Sequence, residues 1–154
     1  MAKRKPTPAG VFAATEKAGL CVLARGVTLM SWMGKDVSPF YLTSAAFFRQ
    51  PWRILTCVLP HANPRTDGFV GLFHIVFNVT MILRLGRIIE ERYGALLIAL
   101  FYVVVAAGSG VAQYVFDAGG IGLSGVGYGV FGFLWLAQRR SRDFEGSMDY
   151  GTVL

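Results

Sequence analysis

The sequence predicts an all-α polytopic membrane protein, with four membrane-spanning helices and a first connection lying in the membrane interface. Three observations carry that expectation. Of the 154 residues, 54% are hydrophobic and only 16% charged, and the mean hydropathy of +0.50 exceeds what a soluble domain of this size carries. The apolar residues fall in runs close to the ~20 needed to cross a bilayer's hydrocarbon. Finally, the stretch Gly119 to Gly132, GGIGLSGVGYGVFG, sets Ser124 among glycines at 122, 125, 127, 129 and 132. In water each glycine would cost a helix about 0.5–1 kcal/mol relative to alanine. In a bilayer the backbone must satisfy itself as helix, and small residues four apart, here Gly125 and Gly129, let another helix approach closely.

The chain opens with MAKRKPTPAG, residues 1–10, a short basic cytosolic tail. It does not read as a signal peptide, because Glu16, Lys17 and Arg25 interrupt the following apolar run and no small-residue cleavage site closes it. The first span takes residues 11–33, its charged groups snorkelling or facing protein. Residues 34–68 contain SPFYLTSAAFF, Pro51-Trp52-Arg53 and ILTCVLPHANPRTDG; an aromatic, proline-punctuated segment suits short helices at the interface. There Arg53 is expected to reach lipid phosphate or helix-end carbonyls. The second span, 69–89, is apolar except for His74, Asn78 and Thr80 in its first half and arginines near its end. The third, 95–116, is interrupted by Gly108-Ser109-Gly110 and Gln113, and the fourth, 121–137, carries Ser124 near its entrance. The last residues, Gly151-Thr152-Val153-Leu154, read as the start of another apolar run.

Net charge is +6, but the basic residues sit at the ends of apolar runs and form no interleaved basic and aromatic face, so nucleic acid is not an expected partner. Topology explains them. With the N-terminus inside, one side of the membrane holds Lys3, Arg4 and Lys5, then Arg84, Arg87 and Arg92, then Arg139, Arg140 and Arg142, while Asp117 to Gly120 lies outside. Cys21 and Cys57 lie in apolar runs with no CxxC or Cys/His spacing, which predicts buried free thiols and no metal site.

His74 and Asn78 are four apart, hence on one helix face, and polar groups at membrane depth turn toward the bundle interior. In this orientation the second and fourth spans both enter from outside. His74 then lies ~8 Å in and Ser124 ~5 Å in, at 1.5 Å per residue. A hydroxyl nucleophile with donors nearby for a developing oxyanion is the arrangement of acyl transfer. The soluble GxSxG elbow does not fit, since Val126 stands two residues after Ser124 and no strand precedes it.

These signals in this order resemble the rhomboid intramembrane serine proteases. The resemblance covers roughly residues 50–140 and is carried by Trp52-Arg53, His61, His74-x-x-x-Asn78, Glu90-x-Arg92-x-Gly94, and Gly122-Leu123-Ser124-Gly125 followed by Tyr128. It implies a six-helix bundle of which residues 11–154 would supply four helices, incomplete at the C-terminus. It implies that Ser124 is the nucleophile and that His74, Asn78 and the Ser124 N–H stabilise the oxyanion. Gly122 and Gly125 support the serine, and Tyr128 packs beside the catalytic histidine. Trp52 and Arg53 are structural in the outer leaflet, Glu90 and Arg92 at the cytoplasmic end of the second span. No metal or organic cofactor is implied. The partners are the lipid bilayer of a cell or inner membrane and transmembrane protein substrates, cleaved near the outer end of a helix.

Family members draw their general base from a histidine on a sixth helix. Here His61 and His74 are the only histidines and both precede Ser124. The expectation is therefore a truncated, nearly inactive chain, with the Gly125 and Gly129 face of its fourth span lacking a partner helix. The alternative is a non-catalytic rhomboid-like protein that binds membrane helices. An unrelated four-span transporter is disfavoured, because the second to fourth spans hold no acidic residue apart from Asp117 at an edge.

Overall fold

The computed structural model of the protein describes residues 8–116 and 122–148, with side chains from Gly19 onward. The predicted outer connection Asp117 to Gly120 and the chain's last residues lie outside the described set. Every described element is helical: α1 (Pro8–Trp32), α2 (Ser44–Arg49), α3 (Arg53–Thr56), α4 (Pro64–Tyr93), α5 (Ala95–Val115) and α6 (Ser124–Arg140), with 3-10 turns at Ser38–Phe40 and Arg142–Phe144.

Among the described residues, two helices are long and apolar enough to cross a membrane. At 1.5 Å per residue the 30 residues of α4 and the 21 of α5 reach ~45 and ~32 Å, against a hydrocarbon core of about 30 Å. Only 33% and 22% of their most apolar windows are buried in the protein. Phe69, Leu72, Phe73 and Val76 on α4 and Leu96, Leu100, Val103 and Val104 on α5 point outward, an apolar surface far beyond what a water-facing helix presents.

Asn63 starts α4, its Oδ1 accepting the Arg65 N–H at 3.0 Å, with Pro64 at the first helical position, where a missing N–H costs nothing. Gly68 (φ 57, ψ −138) breaks the helix just before the predicted span. Only glycine adopts that region readily. The break folds Gly71 against the backbone of Asn63 and Pro64, where a Cβ would meet atoms at 2.8 Å.

α4 and α6 run parallel and in direct contact, with α5 antiparallel and packed on both. Gly122 lies beside His74 at one end, and Arg92 pairs with Asp143 at the other. α1 is antiparallel to α4: Trp32 Nε1 donates to the Ala62 carbonyl at 3.1 Å, just ahead of α4. Ile82, Leu85, Ile98, Leu123, Val126, Val130 and Leu134 form the buried centre where these helices meet.

Three expectations change. The Gly108-Ser109-Gly110 run does not interrupt α5; its small residues admit neighbours instead. Gly110 takes Ile54 of α3, and Ser109 faces Gly125 of α6. Second, the Gly125 and Gly129 face of α6 does not lack a partner, because it packs on Ser109 and Val105 of α5. Third, α6 begins at Ser124 and ends at Arg140, where the fourth span was expected over 121–137. Cys21 and Cys57 are free and buried, as expected from their apolar surroundings.

In the first connection, Nη1 of Arg53 donates to the carbonyls of Ser38 and Tyr41, each at 3.0 Å, at the two ends of the 3-10 turn. Trp52 stays exposed. Stacking of Phe47 on Tyr114, 3.9 Å between centroids, lays this connection against the C-terminal end of α5.

Candidate active site

The turn entering α6 is fixed from two sides. Gly122 (φ 93) donates its N–H to the Cys57 carbonyl at 3.0 Å. Leu123 donates its N–H to Nε2 of His61 at 3.2 Å. A ring that accepts at Nε2 while neutral carries its proton on Nδ1. That N–H faces the Leu59 carbonyl at 3.0 Å and the Thr28 hydroxyl at 3.2 Å. His61 is 1% exposed and Thr28 fully buried, so one imidazole ties α1, the first connection and the start of α6 together. Burial holds the His61 pKa down to about 4, with the Leu59 hydrogen bond opposing the shift and nearby His74 adding to it.

Across from this turn, α4 presents His74 and Asn78. A Cβ placed on Gly122 would lie 3.2 Å from Cε1 of His74 and 3.0 Å from Cδ2 of His61, so only glycine lets the two rings, 5.2 Å apart, close over the turn. One turn deeper, Oδ1 of Asn78 lies 3.9 Å from the corresponding point on Gly127. Asn78 is 2% exposed, and its Nδ2 has no hydrogen-bond partner among the described residues. Ser124 is half-buried at the head of α6; as its first residue it has an N–H with no helical acceptor, and its hydroxyl bonds to no described residue.

The structure thus places Ser124, His74, Asn78 and Gly122 at one end of the α4 and α6 pair. Gly125 faces away from it, onto α5. Tyr128 shares the Ser124 face of α6, and its ring is 74% exposed. Trp52 and Arg53 lie in the first connection. Glu90 is buried at the far end of α4, where Arg92 reaches Asp143 after α6. Thr28 has no counterpart among the residues singled out from the sequence, and His61 had no role. The first span also carries Thr15, Glu16, Lys17, Arg25 and Ser31, so nothing local singled out Thr28.

Parallel and antiparallel apolar helices with outward lipid-compatible faces, closing over a serine with amide and imidazole groups at one end, define a helical membrane protein with a polar site at one end of its bundle. The Rhomboid domain family matches residues 49–149, and the chain belongs to that family, whose members are integral membrane proteins. It is similar to Rhomboid protease GlpG of Serratia proteamaculans, 31% identical over 143 residues, which cover 90% of this chain and 46% of that protein. It is 29% identical over 125 residues to Rhomboid protease GlpG of Haemophilus influenzae, covering 78% and 59%. It is 30% identical over 83 residues to RHOMBOID-like protein 1 of Arabidopsis thaliana, covering 53% and 19%. The chain thus spans about half the length of the bacterial relatives it matches. No solved structure matches it.

Proposed function

We propose that this chain carries the nucleophile and oxyanion half of a rhomboid-type intramembrane serine endopeptidase, on four spans with the N-terminus cytosolic. The observation that supports this best is the uncommitted donor set around Ser124. Leu123 N–H and Gly122 N–H are spent on holding the turn, which leaves the next N–H, that of Ser124, without an acceptor among the described residues at a helix N-terminus. The buried, unpaired Nδ2 of Asn78 approaches from α4, beside His74. Donors without protein partners, preorganised where charge develops, are what stabilises a tetrahedral oxyanion.

In the reaction so read, the Ser124 hydroxyl attacks a peptide carbonyl of a membrane-protein substrate. The oxyanion takes hydrogen bonds from Asn78, His74 and the Ser124 N–H. The amine leaves with a proton, and water then releases the acyl group. A serine hydroxyl needs a neighbouring base to surrender its proton. His61 cannot serve, since both its ring nitrogens are engaged. His74 cannot donate to the oxyanion and deprotonate the nucleophile at once. These 154 residues therefore hold the acceptor of the acyl group without its base.

The test is cleavage of a quenched transmembrane substrate in liposomes, by the chain alone and after co-reconstitution with a C-terminal helical segment of a rhomboid relative bearing a histidine. Loss of one triad member costs serine hydrolases about 10⁴–10⁶ in kcat, so the chain alone is expected near background. The complemented chain should cleave in a manner lost in Ser124→Ala and lowered about 10²–10³-fold in Asn78→Ala. Cleavage that survives Ser124→Ala refutes the assignment. Complementation that restores substrate binding without any Ser124-dependent cleavage favours the second reading, a non-catalytic binder of membrane helices.

A further inference from the structure

Away from Ser124, a cavity of about 320 Å³ opens between α1 and α4, lined by Arg25, Thr28, Leu29, Trp32, Ile75 and Val76. The first four fall at i, i+3, i+4 and i+7, one stripe of a helix. Their polar groups are not equivalent. The Thr28 hydroxyl is committed to Leu59 and His61, and the Trp32 indole to Ala62. Arg25 forms no ion pair with any described carboxylate. The cavity therefore has an apolar wall and one cation whose counter-charge is not supplied by the described protein. Arg25 lies seven residues below Trp32, ~10 Å along the axis, within reach of the outer interface for a side chain that snorkels.

From this we infer that the groove between α1 and α4 binds an anionic phospholipid, its phosphate on the Arg25 guanidinium and its acyl chain along Leu29, Ile75 and Val76. The planar fork of arginine matches a phosphate with two parallel donors. The cavity is at the small end of ligand pockets, about 300–1,000 Å³, fitting part of one chain rather than a whole helix. The inference rests on the reading of α1 and α4 as membrane spans.

The test uses the intact chain in liposomes of equal phosphatidylglycerol and phosphatidylcholine, with retained lipids counted by native mass spectrometry. One arginine near a charged headgroup is worth about fivefold in favour of the anionic lipid. That preference should vanish in Arg25→Gln and persist in Arg25→Lys. Glycerol phosphate or inorganic phosphate in excess should not displace the lipid. A second readout places the site: with Trp52→Phe and Trp135→Phe, phosphatidylglycerol brominated on its chains should quench Trp32 more than brominated phosphatidylcholine does. Equal retention of the two lipids, an undiminished preference in Arg25→Gln of unchanged helix content, or displacement by free phosphate overturns the lipid site. A chain that does not partition into the liposomes overturns the span reading with it, whereas one that partitions without preference overturns the site alone.

Discussion

Because Nε2 of His61 accepts the Leu123 N–H, protonation of that ring removes the acceptor and puts a charge in a buried place. Its pKa is lowered from 6.5 to about 4 in the folded protein, so the unfolded chain binds the proton first. Stability is then complete above about pH 6.5 and falls as pH drops toward 4, by up to ~3 kcal/mol. Denaturation midpoints at pH 7, 5 and 4 should show that loss in the wild type and a flatter profile in His61→Gln, whose amide oxygen can still accept from Leu123. A profile equally steep in His61→Gln would place the proton elsewhere. Gly122 makes the second prediction at this scale. Its φ of 93 and the rings above it leave no room for a methyl group. Gly122→Ala should destabilise by at least ~1–2 kcal/mol, read as a lowered Tm in detergent. His74, Asn78 and Ser124 were legible as a group because helical spacing and the cost of polar groups in lipid act locally. The bonds from Thr28 and Leu123 to His61 were not legible, since nothing local to any of the three specifies the others.

At the scale of elements, the close approach of α5 and α6 rests on two glycines. Gly125→Leu or Gly129→Leu would drive a side chain into Ser109 or Val105, and overpacking of that kind costs about 1–3 kcal/mol. Gly132, which has open space around it, should accept alanine with no loss. Matched thermal melts of the three variants check this, and an equal loss in all three would show that contact with Ser109 and Val105 is not what sets the effect, since helix propensity alone favours each substitution. The sequence marked this small-residue face correctly but assigned it to a missing helix, because spacing identifies a contact surface without naming what touches it. The Arg92 and Asp143 pair joins α4 to the segment after α6, with both side chains about half-exposed. Asp143→Asn should therefore cost no more than ~1 kcal/mol. The break at Gly68 and the start of α6 at Ser124 depend on packing across the bundle, and α4 (Pro64–Tyr93) extends beyond its apolar run of 69–89 at both ends.

For the molecule as a whole, His74 and Ser124 belong to one end of the parallel pair, and Arg92, Arg139, Arg140 and Arg142 to the other. The positive-inside rule puts the serine end outside. An impermeant thiol reagent should label Arg65→Cys on intact cells and Glu145→Cys only after permeabilisation, since both positions are exposed and the two native cysteines are buried. Labelling of position 145 from outside would invert the topology. The charge bias and the shared end of the second and fourth spans were readable from the sequence at this scale, but the packing of α5 on both α4 and α6 was not.

The bond between His61 and Leu123 also bears on biosynthesis. Its partners are 62 residues apart, and a ribosome adding about 5–20 residues per second needs ~3–12 s to make the stretch between them. During that interval α4 and α5 are being made while α6 does not yet exist, and Nε2 of His61 has no Leu123 N–H to accept. A nascent chain is thus committed to the bilayer well before its serine is held in place, which makes the site among the last features of the protein to mature.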